Sequence, residues 1–201
     1  MKMQNFIAGV FLGILAGASL PAAPNVKALW VWTDELSSAG DRATLVQRAA
    51  GNGITDLYVS VFQSNQDPNS KRNMYPDYEM ADLIAQASKS KIKVWATYGA
   101  SDWPAFGCAA QSTVSPLSEM TDVVAYNKAN SKATFAGVIL DVEFDPQVPP
   151  TTADFQALLS LYQCIRQRLP NSLRLAVAIN AFWVSSVPFP AAGPCSSILS
   201  I

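Results

Sequence analysis

Two carboxylates stand two positions apart in one apolar segment of the chain. Asp141 and Glu143 interrupt the run FAGVILDVEF, residues 135–144, and strand alternation puts both on the side of Gly137 and Ile139. Two acids this close repel each other, so we expect one of them to hold a proton near neutral pH. Cleavage of a glycosidic bond requires such a pair, because an acid protonates the leaving oxygen while a negative group stabilises the oxocarbenium-like centre. We therefore take Glu143 and Asp141 as candidate catalytic residues.

The composition limits catalysis to carboxylates, hydroxyls, Lys, Tyr or Cys. The 201 residues include no His, which excludes a Ser-His-Asp triad, a Cys-His dyad and a His-ligated zinc. With 14 Lys and Arg against 15 Asp and Glu, the chain lacks the basic footprint of a nucleic-acid binder, and we expect no nucleic-acid partner. No metal-binding loop signature surrounds Asp141, Glu143 and Asp145, so we expect no metal and no cofactor.

The elements that must position these acids alternate regularly along the chain. Five apolar runs predict strands, at 28–32, 56–62, 92–98, 135–144 and 173–182. Apolar residues at helical spacing predict helices between them, over 41–50, 79–88, 119–128 and 151–169. Strands separated by helices of this length form a parallel sheet with the helices outside it. The predicted fold class is α/β in a single domain.

Polar and aromatic residues gather where the predicted strands end, which favours a barrel over an open dinucleotide-binding sheet. No G-x-G-x-x-G turn follows the first strand, and no Walker-type loop occurs. In a parallel (β/α)8-type barrel all the strand ends meet at one face, which carries catalysis. Seven residues near these ends are candidates for substrate binding: Trp32, Tyr98, Asp102, Trp103, Asp145, Asn180 and Trp183.

The segment FAGVILDVE resembles the fourth-strand signature of the family 18 chitinase-like glycoside hydrolases, which is approximately DGxDxDxE. Gly137, Asp141 and Glu143 match that signature, while Ala136 and Ile139 stand at its first and middle acidic positions. The preceding strand, KVWATYGASDW, is also similar to the family's third strand, which carries small residues and ends near a Trp.

The resemblance implies a secreted glycoside hydrolase-like barrel that acts on a polysaccharide or oligosaccharide. Glu143 would then be the general acid, and Asp141 would orient the acetamido group of a substrate that serves as its own nucleophile. A different interpretation stays open. The chain could be a noncatalytic polysaccharide-binding or structural α/β protein, in which the two acids pair with Lys93 or Arg174 from neighbouring strands.

The first 23 residues have the pattern of a secretory signal peptide. Lys2 precedes the apolar stretch 6–15, and small residues follow at 16–18 and 22–23. We expect cleavage there, an extracellular mature domain over 24–201, and no membrane partner afterwards. An uncleaved anchor is the alternative, although the apolar stretch is shorter than the roughly 20 residues that span a bilayer.

Export would make the three cysteines candidates for oxidation. At most one pair can form, and we prefer Cys108 with Cys164 because Cys195 lies in an irregular tail, although spacing alone does not fix the pairing. That tail follows Trp183 without further strand and helix alternation. Because a closed barrel takes about 250 residues, we expect a barrel truncated after about five βα units. A fragment that another chain completes and a smaller open sheet are the alternatives.

Overall fold

Five strands alternate with four helices in the part of the chain that the computed structural model describes, residues 26–32, 36–61, 77–99, 116–144 and 150–178. The strands are β1 Ala28–Val31, β2 Asp56–Ser60, β3 Lys93–Tyr98, β4 Gly137–Leu140 and β5 Arg174–Val177. The helices are α1 Ala39–Gly51, α2 Asp77–Lys89, α3 Pro116–Ala129 and α4 Thr152–Arg168. The predicted α/β class is confirmed.

The sheet is parallel throughout, and its strands lie side by side in chain order, β1-β2-β3-β4-β5. The register aligns Trp30, Tyr58, Trp95, Gly137 and Arg174 in one row across the five strands. A doubly wound sheet reverses its strand order at a switch point. This order does not reverse, as expected for consecutive βα units of a barrel.

Side-chain caps fix the starts of two helices. The Ser38 hydroxyl accepts a hydrogen bond from the backbone N–H of Asp41 at the start of α1. Thr151 and Asp154 form a reciprocal capping box at the start of α4, where each side chain accepts from the other residue's backbone N–H. These caps satisfy N–H groups that have no partner within the helix.

One side of the sheet is wholly apolar and lies under the helices. Alternate residues of the central strands point to this side and are buried: Leu57, Val59, Val94, Ala96, Val138 and Leu140. The buried helical residues that join them in the core include Leu45, Leu83, Val123 and Leu158. Parallel sheets need this cover, because their strands are apolar on the face that the crossover helices occupy.

The opposite side of the sheet carries a strip of aromatic rings, defined by Trp32, Trp30, Tyr58 and Trp95. Neighbouring ring centroids lie 6.5, 5.2 and 6.3 Å apart along that series. The strip is anchored at one end, where the Trp95 Nε1–H donates to Oδ1 of the buried Asp56 at 2.7 Å. The row and the alternation place Gly137 and Ile139 on this same side.

The fourth strand is shorter than predicted. The predicted run 135–144 contains a regular strand only over Gly137–Leu140, so Asp141 and Glu143 lie just beyond the strand and not on it. The parallel pairs that β4 forms with β3 and β5 extend as far as Tyr98 and Val177.

The structure describes only some of the residues on which the predictions about export depend. The predicted signal segment 1–23 lies outside them. Cys164 is disulfide-bonded, and both Cys108 and Cys195 lie outside the described residues, so the choice of partner stays a prediction. Among the helices of the described ranges, none has the length and apolar character that crossing a membrane requires.

Candidate functional site

Asp141 sits immediately after the end of β4, held by its backbone. Its N–H donates to the carbonyl oxygen of Tyr98 at 2.7 Å, and the carbonyl oxygen of the preceding Leu140 accepts from the N–H of Ala178 at 2.8 Å. Leu140 and Val142 are both buried on the helix-covered side of the sheet. Alternation therefore puts Asp141 and Glu143 on the other side, which is the side of the aromatic strip.

The structure distinguishes the two acids by their exposure. Asp141 is half-buried, whereas Glu143 is exposed. Burial raises the pKa of Asp141, and the nearby charge of Glu143 raises it further. A carboxyl with a raised pKa retains its proton to a higher pH than an ordinary Asp, which is a property of acids in catalytic pairs.

No ion pair offsets the buried charge of Asp141 within the described part of the chain. Lys93 is in register with Asp56, and Arg174 with Gly137, at the amino ends of the strands. Four residues of extended chain, or about 13 Å, separate Gly137 from Asp141. The noncatalytic interpretation required the two acids to pair with these cations, and the structure does not show such a pair.

A glycine at the end of β3 allows the backbone of Asp141 to lie close to that strand. Gly99 follows β3, and a Cβ atom on it would collide with the carbonyl oxygen and carbonyl carbon of Asp141. Any larger residue at position 99 would push Asp141 away from β3. The position of the half-buried carboxyl thus depends on a residue without a side chain.

Trp32 and Tyr98 lie on opposite sides of the sheet. Trp32 follows β1 on the side of Asp141 and is 60 % exposed, with its ring stacked on Trp30 at an interplanar angle of 16°. It stands three strands away from Asp141, or about 14 Å along the sheet. The Tyr98 side chain is 1 % exposed and belongs to the core, so a substrate contact by its ring would require the core to open. Its substrate role stays a prediction.

The other predicted binding residues are Asp102, Trp103, Asp145, Asn180 and Trp183, which all lie outside the described residues. Their roles in substrate binding stay predictions. Among the residues that are described, no group of three or more His, Cys, Asp or Glu side chains could hold a metal ion.

Sequence reasoning did not predict that the charge of Asp141 acts on Tyr162. This α4 residue is buried, its hydroxyl has no hydrogen-bond partner among the described residues, and burial followed by the charge of Asp141 raises its pKa. The available signal was a hydroxyl on an apolar helical stripe, since Tyr162 follows Phe155 and Leu158 at core spacing. A buried hydroxyl usually has a partner.

No protein-family model and no curated protein matches this sequence. Among solved structures, a chitinase from Bacteroides thetaiotaomicron resembles it with a TM-score of 0.53 and 14% identity, over 79% of this chain and 48% of that chain. A beta-N-acetylhexosaminidase gives a TM-score of 0.49 and 13% identity, over 80% of this chain and 47% of that one. A beta-N-acetylhexosaminidase from Bacteroides fragilis NCTC 9343 gives 0.45 and 10%, over 77% and 41%.

The likeness to the chitinase concerns the fold. This chain spans about half the length of that protein, 48%, and aligns with it over most of its own length, 79%. Together with the consecutive parallel strand order, the likeness shows an α/β fold of the (β/α)8-barrel type.

Proposed function

We propose that this chain is a secreted carbohydrate-active protein of the glycoside hydrolase type, which hydrolyses glycosidic bonds of a polysaccharide or oligosaccharide by carboxylate acid catalysis. One observation carries the proposal. Asp141 is half-buried beside Glu143 at the carboxyl end of β4, with a raised pKa and no cation partner among the described residues. The barrel-type fold supports it, because the carboxyl ends of the strands carry the active sites of such barrels.

In this mechanism the two acids have different roles. Glu143 is exposed and can reach the oxygen of a bound sugar's leaving group, so we assign it the general acid. Asp141 is held in place by its backbone hydrogen bond and is half-buried, so we assign it the partner that orients the substrate. Trp32 offers an exposed ring on the same side of the sheet, on which a sugar could stack.

The proposed export rests on two features. The first 23 residues have the signal-peptide pattern, and the disulfide of Cys164 suits an oxidising compartment.

Acid-to-amide substitution tests the proposed catalysis. The full chain and its Glu143→Gln variant are assayed for new reducing ends on chitin oligosaccharides and on other polysaccharides, and sugar binding is measured by calorimetry. We expect Glu143→Gln to lower kcat by about 10²-fold or more while binding is kept, since general acids contribute that much.

The matched control is Glu79→Gln, the same chemical change in the first turn of α2, which should leave kcat unchanged. Equal turnover by the wild type and by Glu143→Gln would contradict the proposal. Sugar binding without any turnover by the wild type would replace it with the noncatalytic alternative.

A further inference from the structure

Glu143 lies beyond the backbone hydrogen bonds of the sheet. Asp141 donates to the carbonyl oxygen of Tyr98, but the backbones of Val142 and Glu143 make no hydrogen bond to another described residue. Residues that lie outside the ladder of a sheet move more than residues within it, unless their side chains are packed. A general acid has to stay in one place, because a displacement of about 1 Å can lower the rate about 10²-fold. Glu143 therefore needs another anchor.

The two neighbours of Glu143 along the chain supply that anchor. Val142 is buried, and the half-buried Phe144 packs against the core on the same side of the chain. The ring of Phe144 meets the ring of Phe155 on α4, with centroids 5.4 Å apart and an interplanar angle of 80°. Aromatic rings prefer such an edge-to-face contact. The chain is thus attached to the core on each side of Glu143, whose side chain is exposed.

Phe155 lies in a part of α4 that is itself held in place. Its side chain is buried, and its backbone N–H donates to the carbonyl oxygen of Thr151 at 3.2 Å. The capping box of Thr151 and Asp154 stabilises this first turn of the helix. The ring contact therefore joins the segment that carries the acids to the capped start of the next helix.

We propose that Phe144 and Phe155 are positioning residues, whose ring contact fixes the backbone of Glu143 and so keeps its carboxyl beside Asp141. The contact does not involve the carboxyl group, which stays available to a substrate. Loss of either ring should loosen the backbone at Glu143 while the sheet stays intact. Only the consequence for turnover rests on the proposed function.

Backbone ¹⁵N relaxation, measured by NMR on the full chain, tests the positioning without a substrate. In the wild type the order parameter of the Glu143 amide should be about 0.85, the value of rigid backbone. In Phe144→Leu, which removes the ring, it should fall below about 0.6, the range of flexible backbone. Phe155→Leu removes the partner ring and should give the same fall. Phe144→Tyr keeps the ring and should keep the wild-type value.

Phe135→Leu is the matched control. Phe135 precedes β4 at the opposite end of the strand, and its ring contacts that of Tyr126 on α3 with centroids 5.1 Å apart. Phe135 is buried, whereas Phe144 is half-buried, so loss of the Phe135 ring should destabilise the fold at least as much. It should leave the order parameter of Glu143 unchanged.

Three results of the relaxation experiment would overturn the proposal. An order parameter below about 0.6 for Glu143 in the wild type would show that the segment is not fixed, and this result needs no variant. An unchanged order parameter in Phe144→Leu would show that the ring contact does not hold Glu143. An equal fall in Phe135→Leu would show that any loss of core packing loosens this segment.

The same variants are assayed for turnover of chitin oligosaccharides and of other polysaccharides. Phe144→Leu should lower kcat by about 10-fold or more and change KM by less than about twofold, because it displaces the acid and removes no substrate contact. Phe144→Tyr and Phe135→Leu should keep the wild-type kcat. Equal kcat for Phe144→Leu and the wild type would overturn the role in catalysis. Absence of turnover by the wild type would contradict the proposed function alone, since the relaxation experiment decides the positioning by itself.

Discussion

Gly137 at the start of β4 has no room for a side chain. A Cβ atom there would lie 2.5 Å from Cζ3 and 2.7 Å from Cε3 of Trp95, and 2.5 Å from the carbonyl oxygen of Arg174. The Trp95 ring is not free to turn away, because its Nε1–H donates to Asp56 at 2.7 Å. We predict that Gly137→Ala displaces the ring and breaks that hydrogen bond.

The expected cost follows from these contacts. Carbon atoms pack at about 3.5–4.0 Å, so the ring has to move by about 1 Å. Overpacking of this kind costs about 1–3 kcal/mol, and loss of a hydrogen bond to a carboxylate costs about 1.5–3 kcal/mol. Alanine lowers the conformational entropy of the unfolded chain, which stabilises the folded protein by about 0.4–1 kcal/mol. We therefore expect Gly137→Ala to lower the free energy of unfolding by about 3 kcal/mol.

Urea unfolding followed by circular dichroism measures this change. Gly51→Ala at the end of α1 is the control, because nothing lies within 4 Å of a Cβ atom there, and it should cost nothing. Trp95→Leu removes the obstructing ring, so its combination with Gly137→Ala should cost less than the two single changes together. A loss below about 0.5 kcal/mol for Gly137→Ala, within the range of neutral surface changes, would refute the argument that Trp95 is locked.

Two further predictions concern buried charge. Because burial and Glu143 raise the pKa of Asp141, the folded protein loses stability as the pH rises from 3.8 through that pKa. Asp141→Asn should therefore be more stable than the wild type at about pH 7 and equal to it at about pH 3. Urea unfolding measures both differences, and the same gain in the free energy of unfolding at the two pH values would contradict this prediction. Arg42 is 5 % exposed and donates to Asp82 and to the Leu36 carbonyl, both at 2.8 Å. Arg42→Met should cost about 2–3 kcal/mol in the same assay, while Arg48→Met on the exposed face of α1 should change stability by less than about 0.5 kcal/mol.

The helix α4 could be predicted from the sequence more closely than the end of β4. The helix predicted over 151–169 is observed over Thr152–Arg168, since its cap at Thr151 and its stop at Pro170 are encoded in neighbouring residues. The end of β4 is different. The extent of its pairing depends on β3 and β5, and the lengths of these neighbours are set elsewhere in the chain.

The same distinction applies to the candidate site. Alternation alone predicts that Asp141 and Glu143 share one side of the chain. It does not predict that only Asp141 is half-buried, because that depends on what packs around the end of β4. Gly99 comes from the end of β3, and its closeness to Asp141 arises from packing between elements that are far apart in sequence.

The strand order has a consequence for how the protein can form during synthesis. Every strand after β1 pairs with the strand that precedes it in the chain. When a strand leaves the ribosome, its hydrogen-bonding partner has therefore already been made, and no strand of the described sheet has to wait for a later segment. Contacts between consecutive units close short loops, which cost less entropy than pairings between distant segments. The sheet can thus grow by one βα unit at a time, in the direction of translation.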